Sequence, residues 1–148
     1  MSVRLDYNQV DPQGSRALAR LSAYVEWSGL ERSLIDLVNV RISQINGCAY
    51  CIRLHTEEAV EHGETHRRLH LLRVWAEGPF TERERAALRW AEEITLVNQG
   101  PVSDEAYAQA QAHFSDKDLV ALTYAAISMN AWNRLGIAFR KPDPALAA

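Results

Sequence analysis

The only two cysteines of the chain, Cys48 and Cys51, stand three residues apart, and His55 follows four residues after the second. Gly47 ends one predicted helix, so Cys48 opens the next. Free amides and the positive dipole end at a helix start stabilise a thiolate, and such thiols titrate near pH ~7 rather than ~8.5. Residues three or four apart share a helix face, which lets His55 take the proton of Cys51. This spacing predicts a redox-active dithiol in which Cys51 attacks an oxidant and Cys48 resolves the product into a disulfide.

Two other interpretations of the same spacing remain open. A structural zinc ion takes four ligands, and the nearby candidates besides the cysteines are His62, His66 and His70, at or beyond the predicted helix end. In the second interpretation the two cysteines are buried and inert. A thioredoxin-like site is disfavoured, because that motif belongs to a βαβ unit and no strand pattern is visible. We expect a dithiol site with no metal and no cofactor.

The composition describes a chain of 148 residues with 47% hydrophobic residues, 24% charged residues and a formal net charge of −3. These are ordinary values for one globular domain. We expect that domain to span residues 1–148, with its core in 15–140 and a loose tail in 141–148. Nucleic acid is not an expected partner without a basic face. No apolar run approaches the roughly 20 residues of a membrane helix, and Met1 to Val10 has no apolar signal-peptide core, so we expect a cytoplasmic protein.

Glycines and prolines divide the chain into segments of helix length, and glycine is favoured just past a helix end. The sequence therefore predicts an all-α, single-domain helical bundle of about six to seven helices. The predicted helices are Ser15 to Ser28, Glu31 to Ile45, Cys48 to His62, Glu64 to Ala76, one that begins with the capping box Thr81 to Glu84, a short one after Ser103, and Asp116 to Phe139.

Helical periodicity also predicts which side chains point inward. The second predicted helix is apolar almost all round and should be buried. On the other helices the predicted inward residues are Leu18, Leu21, Val25, Leu88, Ala91, Ile94, Val97, Leu119, Leu122, Ala126, Ile127, Leu135 and Phe139.

The segment from Asn130 to Arg134 places two amides and an arginine on a predicted buried helix. Buried polar groups need hydrogen-bond partners. We expect these side chains to hold the cysteine-bearing helix or an oligomer contact. Contact with a substrate is the alternative.

A longer motif surrounds the two cysteines and continues elsewhere in the chain. Its residues are Asp36-Leu37-Val38, Arg41-Ile42-Ser43-Gln44-Ile45-Asn46-Gly47-Cys48-Ala49-Tyr50-Cys51, His55-Thr56, Thr81 to Val97, and Asn130-Ala131-Trp132-Asn133-Arg134-Leu135. On these residues, which span most of the chain from 31 to 139, the sequence resembles the alkylhydroperoxidase D and carboxymuconolactone decarboxylase superfamily.

The resemblance implies an all-helical fold that forms homo-oligomers, commonly trimers or hexamers. It also implies that Cys51 is oxidised first, that Cys48 resolves, and that His55 activates Cys51 through a proton relay. The relay would include an acidic residue twelve positions before Cys48, which is a glutamate in relatives and Asp36 here. Tyr50 stands where some relatives have histidine. It would donate a hydrogen bond to the thiolate or peroxide, or pack against a neighbouring helix or subunit.

The function implied by the resemblance is a thiol-dependent peroxidase, an alkyl hydroperoxide reductase of the peroxiredoxin type that serves antioxidant defence. Its partners would be a hydroperoxide substrate and an external dithiol or thiol reductant. Two alternatives stay open. One is a carboxymuconolactone decarboxylase-like enzyme, although those relatives do without the cysteine pair. The other is a non-enzymatic redox-sensing oligomer that uses the same disulfide as a switch.

Overall fold

The computed structural model describes residues 3–143 and 145, which form eight α-helices and one 3₁₀ helix and no β-strand. The predicted all-α class is confirmed. None of these helices is long and apolar enough to cross a membrane. Residues 144 and 146–148 of the predicted loose tail lie outside the described residues. The helices are α1 (Tyr7–Val10), α2 (Pro12–Glu26), α3 (Arg32–Asn46), α4 (Ala49–Glu61), α5 (His66–Leu71), the 3₁₀ helix (Leu72–Glu77), α6 (Glu82–Thr95), α7 (Asp104–Gln111) and α8 (Asp116–Phe139).

Helix boundaries follow local capping chemistry. Thr81 forms the predicted capping box: its side chain accepts the Glu84 amide, and the Glu84 carboxylate accepts the Thr81 amide. Gly47 ends α3 with φ 71°, a left-handed conformation that glycine adopts without steric cost. The predicted helix Glu64 to Ala76 is wrong in extent, because it divides into α5 and the 3₁₀ helix, with non-helical backbone at Val74. The four-residue α1 was not predicted, since it is too short to show a helical period.

The core forms around α3, against which α4, α6 and α8 pack. Leu37, Val38, Val40 and Ile42 of α3 are completely buried, as expected for a helix that is apolar almost all round. The other elements cover this helix on several sides, so its position is fixed along its whole length. The cysteines follow directly after its last turn.

Two side chains that were predicted to point inward are exposed instead. Val97 is 59% exposed because α6 already ends at Thr95, so the helical period no longer applies to it. Ile127 is 45% exposed on the outer face of α8. Leu18 and Leu21 are half-buried, which does not contradict their predicted inward direction, because α2 lies at the edge of the bundle and packs mainly against α8.

Asparagine side chains join the last turn of α3 to α8. Asn46 Nδ2 donates to Asn133 Oδ1 at 2.8 Å and to Asn130 Oδ1 at 3.0 Å. Asn133, which is completely buried, donates in turn to Ser43 Oγ at 3.1 Å. These contacts are those expected if Asn130 and Asn133 hold the cysteine-bearing segment, because Asn46 lies two residues before Cys48.

Replacing the central amide should loosen this junction. Asn133→Ala leaves Asn46 and Ser43 each without one buried hydrogen-bond partner, so we expect a loss of about 1–3 kcal/mol in the free energy of unfolding. Urea denaturation measures this change in the free energy of unfolding. The matched control is Asn98→Ala, at an exposed position after α6. Equal unfolding midpoints for the two variants would contradict the role given to Asn133.

Candidate active site

The two cysteines form a disulfide at the start of α4, with their Cα atoms 5.3 Å apart. Cys48 is the N-cap residue of α4, and its Sγ accepts the amide of Cys51 at 3.4 Å. The turn at Gly47 directs the chain from α3 into α4, so both sulfurs lie at the positive end of the α4 dipole. The predicted juxtaposition of Cys48 and Cys51 is therefore present, and both residues are buried.

Helix α8 passes directly over the disulfide at Gly136. A Cβ atom built on Gly136 would lie 3.3 Å from Cys48 Sγ and 3.7 Å from Cys51 Sγ. Glycine is thus the residue that lets the α8 backbone pack against both sulfurs. This contact adds to the asparagine bonds that hold α8 to the end of α3.

A cavity of about 130 Å³ opens beside Cys51. Cys48 does not line it, so Cys51 is the sulfur that meets this space. His55 shares the cavity with Cys51, as the i+4 spacing predicts. The remaining lining residues are Tyr7, Tyr50, Leu54, Trp132, Gly136 and Lys141.

His55 is held by a carboxylate on its own helix. Its Nδ1 donates to Glu58 Oε2 at 2.7 Å, three residues further along α4. This bond fixes the ring orientation and leaves Nε2 as the nitrogen that can take a proton. The hydrogen bond from His55 lowers the pKa of Glu58 below its ordinary value of 4.5, and the charges of His55, Arg32 and His62 act in the same direction against the opposing effect of burial.

Asp36, the acidic residue expected in the relay, makes different contacts. Its carboxylate is 2% exposed and accepts from His62 Nδ1 at 2.8 Å and from Arg32 Nε at 3.1 Å. Asp36 makes no hydrogen bond to His55, whose Nδ1 donates to Glu58 instead. The structure thus contains two histidine–carboxylate pairs. His55 and Glu58 pair within α4, while His62 at the end of α4 pairs with Asp36 on α3.

Two cationic side chains contact the ring of Tyr50. Lys141 Nζ is 4.1 Å from the ring centroid, and Arg53 Cζ is 5.7 Å from it. Tyr50 therefore packs against the segment after α8 and also forms part of the cavity wall. Trp132, which also lines the cavity, donates its Nε1–H to Ser22 Oγ at 2.9 Å.

The histidines considered as zinc ligands lie apart from the cysteines. His62 binds Asp36, while His66 and His70 lie on α5 and line a separate, open groove that includes neither cysteine. Among residues 3–143 and 145, no three His, Cys, Asp or Glu side chains are grouped as a metal ion would require.

Three residues of the site were missed in the sequence. Glu58 had a usable signal, since it lies one helical turn after His55. Gly136 also had one, because a glycine inside a helix often marks a close approach of another group. Lys141 had none, since it falls in the segment predicted to be a loose tail.

Comparison with known proteins identifies the family of this chain. The family model described as "Carboxymuconolactone decarboxylase family" matches residues 12–93. The uncharacterized protein YdfG of Bacillus subtilis is 37% identical over 93% of this chain and 95% of its own length.

Solved structures show the same fold. A protein of unknown function from Agrobacterium tumefaciens, ATU0492, whose suggested role is that of the antioxidant defence protein AhpD, is 38% identical. The alignment covers 97% of this chain and 99% of that one, with a TM-score of 0.93. An uncharacterized peroxidase-related protein from Ralstonia eutropha JMP134, with an alkylhydroperoxidase AhpD core, shares the fold at 18% identity and a TM-score of 0.81, over 93% of this chain and 75% of its own. The chain belongs to the carboxymuconolactone decarboxylase family and, within that superfamily, has the alkylhydroperoxidase D-like fold.

Proposed function

We propose that this protein is a thiol-dependent peroxidase that reduces organic hydroperoxides through a dithiol–disulfide cycle. The observation that carries the proposal is that Cys51 and His55 line one cavity, while Cys48 is disulfide-bonded to Cys51 from outside that cavity. An attacking thiol that lines a cavity, a base beside it and a resolving thiol within disulfide distance are the three groups that such a cycle requires.

In the first step the Cys51 thiolate attacks the terminal oxygen of the hydroperoxide. The S–O bond forms as the O–O bond breaks, so Cys51 becomes a sulfenic acid and the alcohol leaves with one added proton. His55, which holds the proton taken from the Cys51 thiol, is the group that returns it to the leaving alkoxide.

In the second step the Cys48 thiol attacks the sulfenic sulfur of Cys51, which forms the disulfide and releases water. An external dithiol then reduces the pair by thiol–disulfide exchange and leaves as its own disulfide. The free amides at the start of α4 favour the thiolate in both steps. A hydroperoxide and a dithiol or thiol reductant are the partners that this scheme needs.

Glu58 is a positioning residue in this scheme, because it holds His55 in the tautomer whose Nε2 accepts a proton.

The expected relay through Asp36 stays a prediction. Asp36 bonds to His62 and Arg32. It would therefore act on His55 through the charges of these neighbours and not through a direct hydrogen bond. A hydrogen bond from Tyr50 to the peroxide also stays a prediction. The homo-oligomer, trimer or hexamer, is a proposal from the family resemblance, and the cytoplasmic location stays a prediction from the sequence.

The cycle predicts repeated turnover. We expect reduced protein treated with cumene hydroperoxide to lose two thiols per chain, and a dithiol such as dihydrolipoamide to restore them over many cycles. Cys51→Ser should abolish turnover, because it removes the attacking sulfur. Counting free thiols measures the oxidation and its reversal, and consumption of the hydroperoxide measures turnover.

Other results would favour the alternatives. Thiols that stay free under excess hydroperoxide would contradict the peroxidase and favour inert cysteines or a decarboxylase-like enzyme. A single oxidation that no dithiol or thiol donor reverses would point to a redox-sensing oligomer.

The His55–Glu58 pair predicts a specific kinetic loss. General acid–base catalysis contributes about 10²–10⁴-fold in total, so we expect Glu58→Gln to lower kcat/KM for cumene hydroperoxide by about tenfold or more. Glu61→Gln, an exposed change on the same helix, is the control. If Asp36→Asn changed the pH profile of kcat/KM and Glu58→Gln did not, the relay would run through Asp36 instead.

The same pair predicts a pH dependence of stability. The folded protein lowers the pKa of Glu58 below the ordinary 4.5, so the pair stabilises the fold above about pH 4.5. That contribution is lost as the pH falls through the folded-state pKa. The difference in urea midpoint between the wild type and Glu58→Gln should therefore shrink below pH 4.5. A difference that stayed constant between pH 7 and pH 3 would contradict the assignment.

The contact at Gly136 predicts a steric effect. Gly136→Val places methyl groups where α8 meets the sulfurs, and overpacking of this kind costs about 1–3 kcal/mol. We expect a lower urea midpoint and slower closing of the disulfide after peroxide. Gly100→Val is the control, because a Cβ there meets nothing within 4 Å. Equal changes in the urea midpoint and in the rate of disulfide closing for Gly136→Val and Gly100→Val would contradict the role given to Gly136.

A further inference from the structure

We infer that Lys141 makes the cavity beside Cys51 selective for hydroperoxides that carry an acidic group, such as hydroperoxides of short-chain organic acids. The inference rests on the proposed peroxidase function and names its substrate class. The cavity provides an apolar wall, a reactive sulfur and one lysine, and these groups match a compact organic acid that carries an –OOH group.

The size and lining of the cavity favour a compact organic molecule over hydrogen peroxide alone. Its volume of about 130 Å³ corresponds to roughly four water molecules at about 30 Å³ each. Its lining includes the aromatic rings of Tyr7, Tyr50 and Trp132 and the side chain of Leu54. Apolar pockets with a few placed polar groups are typical of sites for small organic ligands.

Lys141 is the lining residue whose charge has no partner among the described residues. His55 is bonded to Glu58, and the neighbouring Arg53 is bonded to both Asp143 and Glu57. Within residues 3–143 and 145, no carboxylate lies within 4 Å of Lys141 Nζ, which instead sits over the Tyr50 ring at 4.1 Å. A half-buried ammonium of this kind is best neutralised by an anion that enters the same cavity.

The backbone after α8 is built to bring Lys141 back over the cavity. Arg140 has φ 53°, a left-handed conformation that is unfavourable for a side chain with a Cβ. The turn is closed by the Lys141 amide, which donates to the Gly136 carbonyl at 2.9 Å. Arg53 Nε then bonds both carboxylate oxygens of Asp143, at 2.7 and 2.6 Å.

The N-terminal segment supports the same turn. The Arg4 amide donates to the Phe139 carbonyl at 3.1 Å, and the rings of Tyr7 and Phe139 lie 5.7 Å apart. Lys141 is therefore placed against the wall of the cavity by contacts on both sides of it. In the bound substrate the acid group would meet Lys141 while the –OOH group faces Cys51.

Alkylation tests the selectivity without using the peroxidase reaction. Iodoacetate and iodoacetamide are nearly equal in size, and only the first is anionic. Both reagents alkylate Cys51 in the reduced Cys48→Ser protein. We expect Lys141→Met to lower the ratio of the iodoacetate rate to the iodoacetamide rate by about threefold to tenfold. A change in the pKa of Cys51 affects both reagents equally and cancels in the ratio. Lys117→Met, an exposed loss of the same charge at the start of α8, should leave the ratio unchanged.

Turnover tests the substrate class directly. We expect Lys141→Met to lower kcat/KM for 3-hydroperoxy-3-methylbutanoate about tenfold more than for its neutral methyl ester, mainly through KM. Equal losses for acid and ester, or an alkylation ratio that Lys141→Met does not change, would overturn the inference. If no variant and no wild type consumed either hydroperoxide, the proposed function would fail. The alkylation ratio would then still decide whether Lys141 selects anions.

Discussion

The site depends on the close packing of α8 against the junction between α3 and α4. Asn133 and Asn130 hold the last residue of α3, Asn46. Gly136, three residues after Asn133, lets the α8 backbone lie against the two sulfurs. The junction itself needs the left-handed turn at Gly47. Because α3 is buried along most of its length, its end is a rigid place from which to start the cysteine-bearing helix.

That packing separates the roles of the two sulfurs. Both are buried and both lie at the positive end of α4, yet only Cys51 meets the cavity. His55 meets it too, and its other nitrogen is held by Glu58. Thiolate stabilisation at a helix start and a base of fixed tautomer are therefore provided by one helix, while α8 and the segment after it complete the cavity.

The sequence predicted the elements that local chemistry determines. The glycine before Cys48, the capping box at Thr81 and the bounds of the last helix, Asp116–Phe139, are all present as expected. It named Asp36, on the family resemblance, as the carboxylate that serves His55, and it missed Glu58. The bond of Asp36 to Arg32 is local, but its bond to His62 depends on the packing of α3 against the end of α4. Lys141 was missed because its position depends on contacts with α4, far away in the chain.

The most direct measurement traps the sulfenic acid. Reduced Cys48→Ser protein is treated with one equivalent of cumene hydroperoxide in the presence of dimedone, and the labelled residue is located by mass spectrometry. We expect an adduct on Cys51 and, in a parallel Cys51→Ser sample, no adduct on Cys48. An adduct on Cys48 in the second sample, with Cys51 unlabelled in the first, would contradict this expectation.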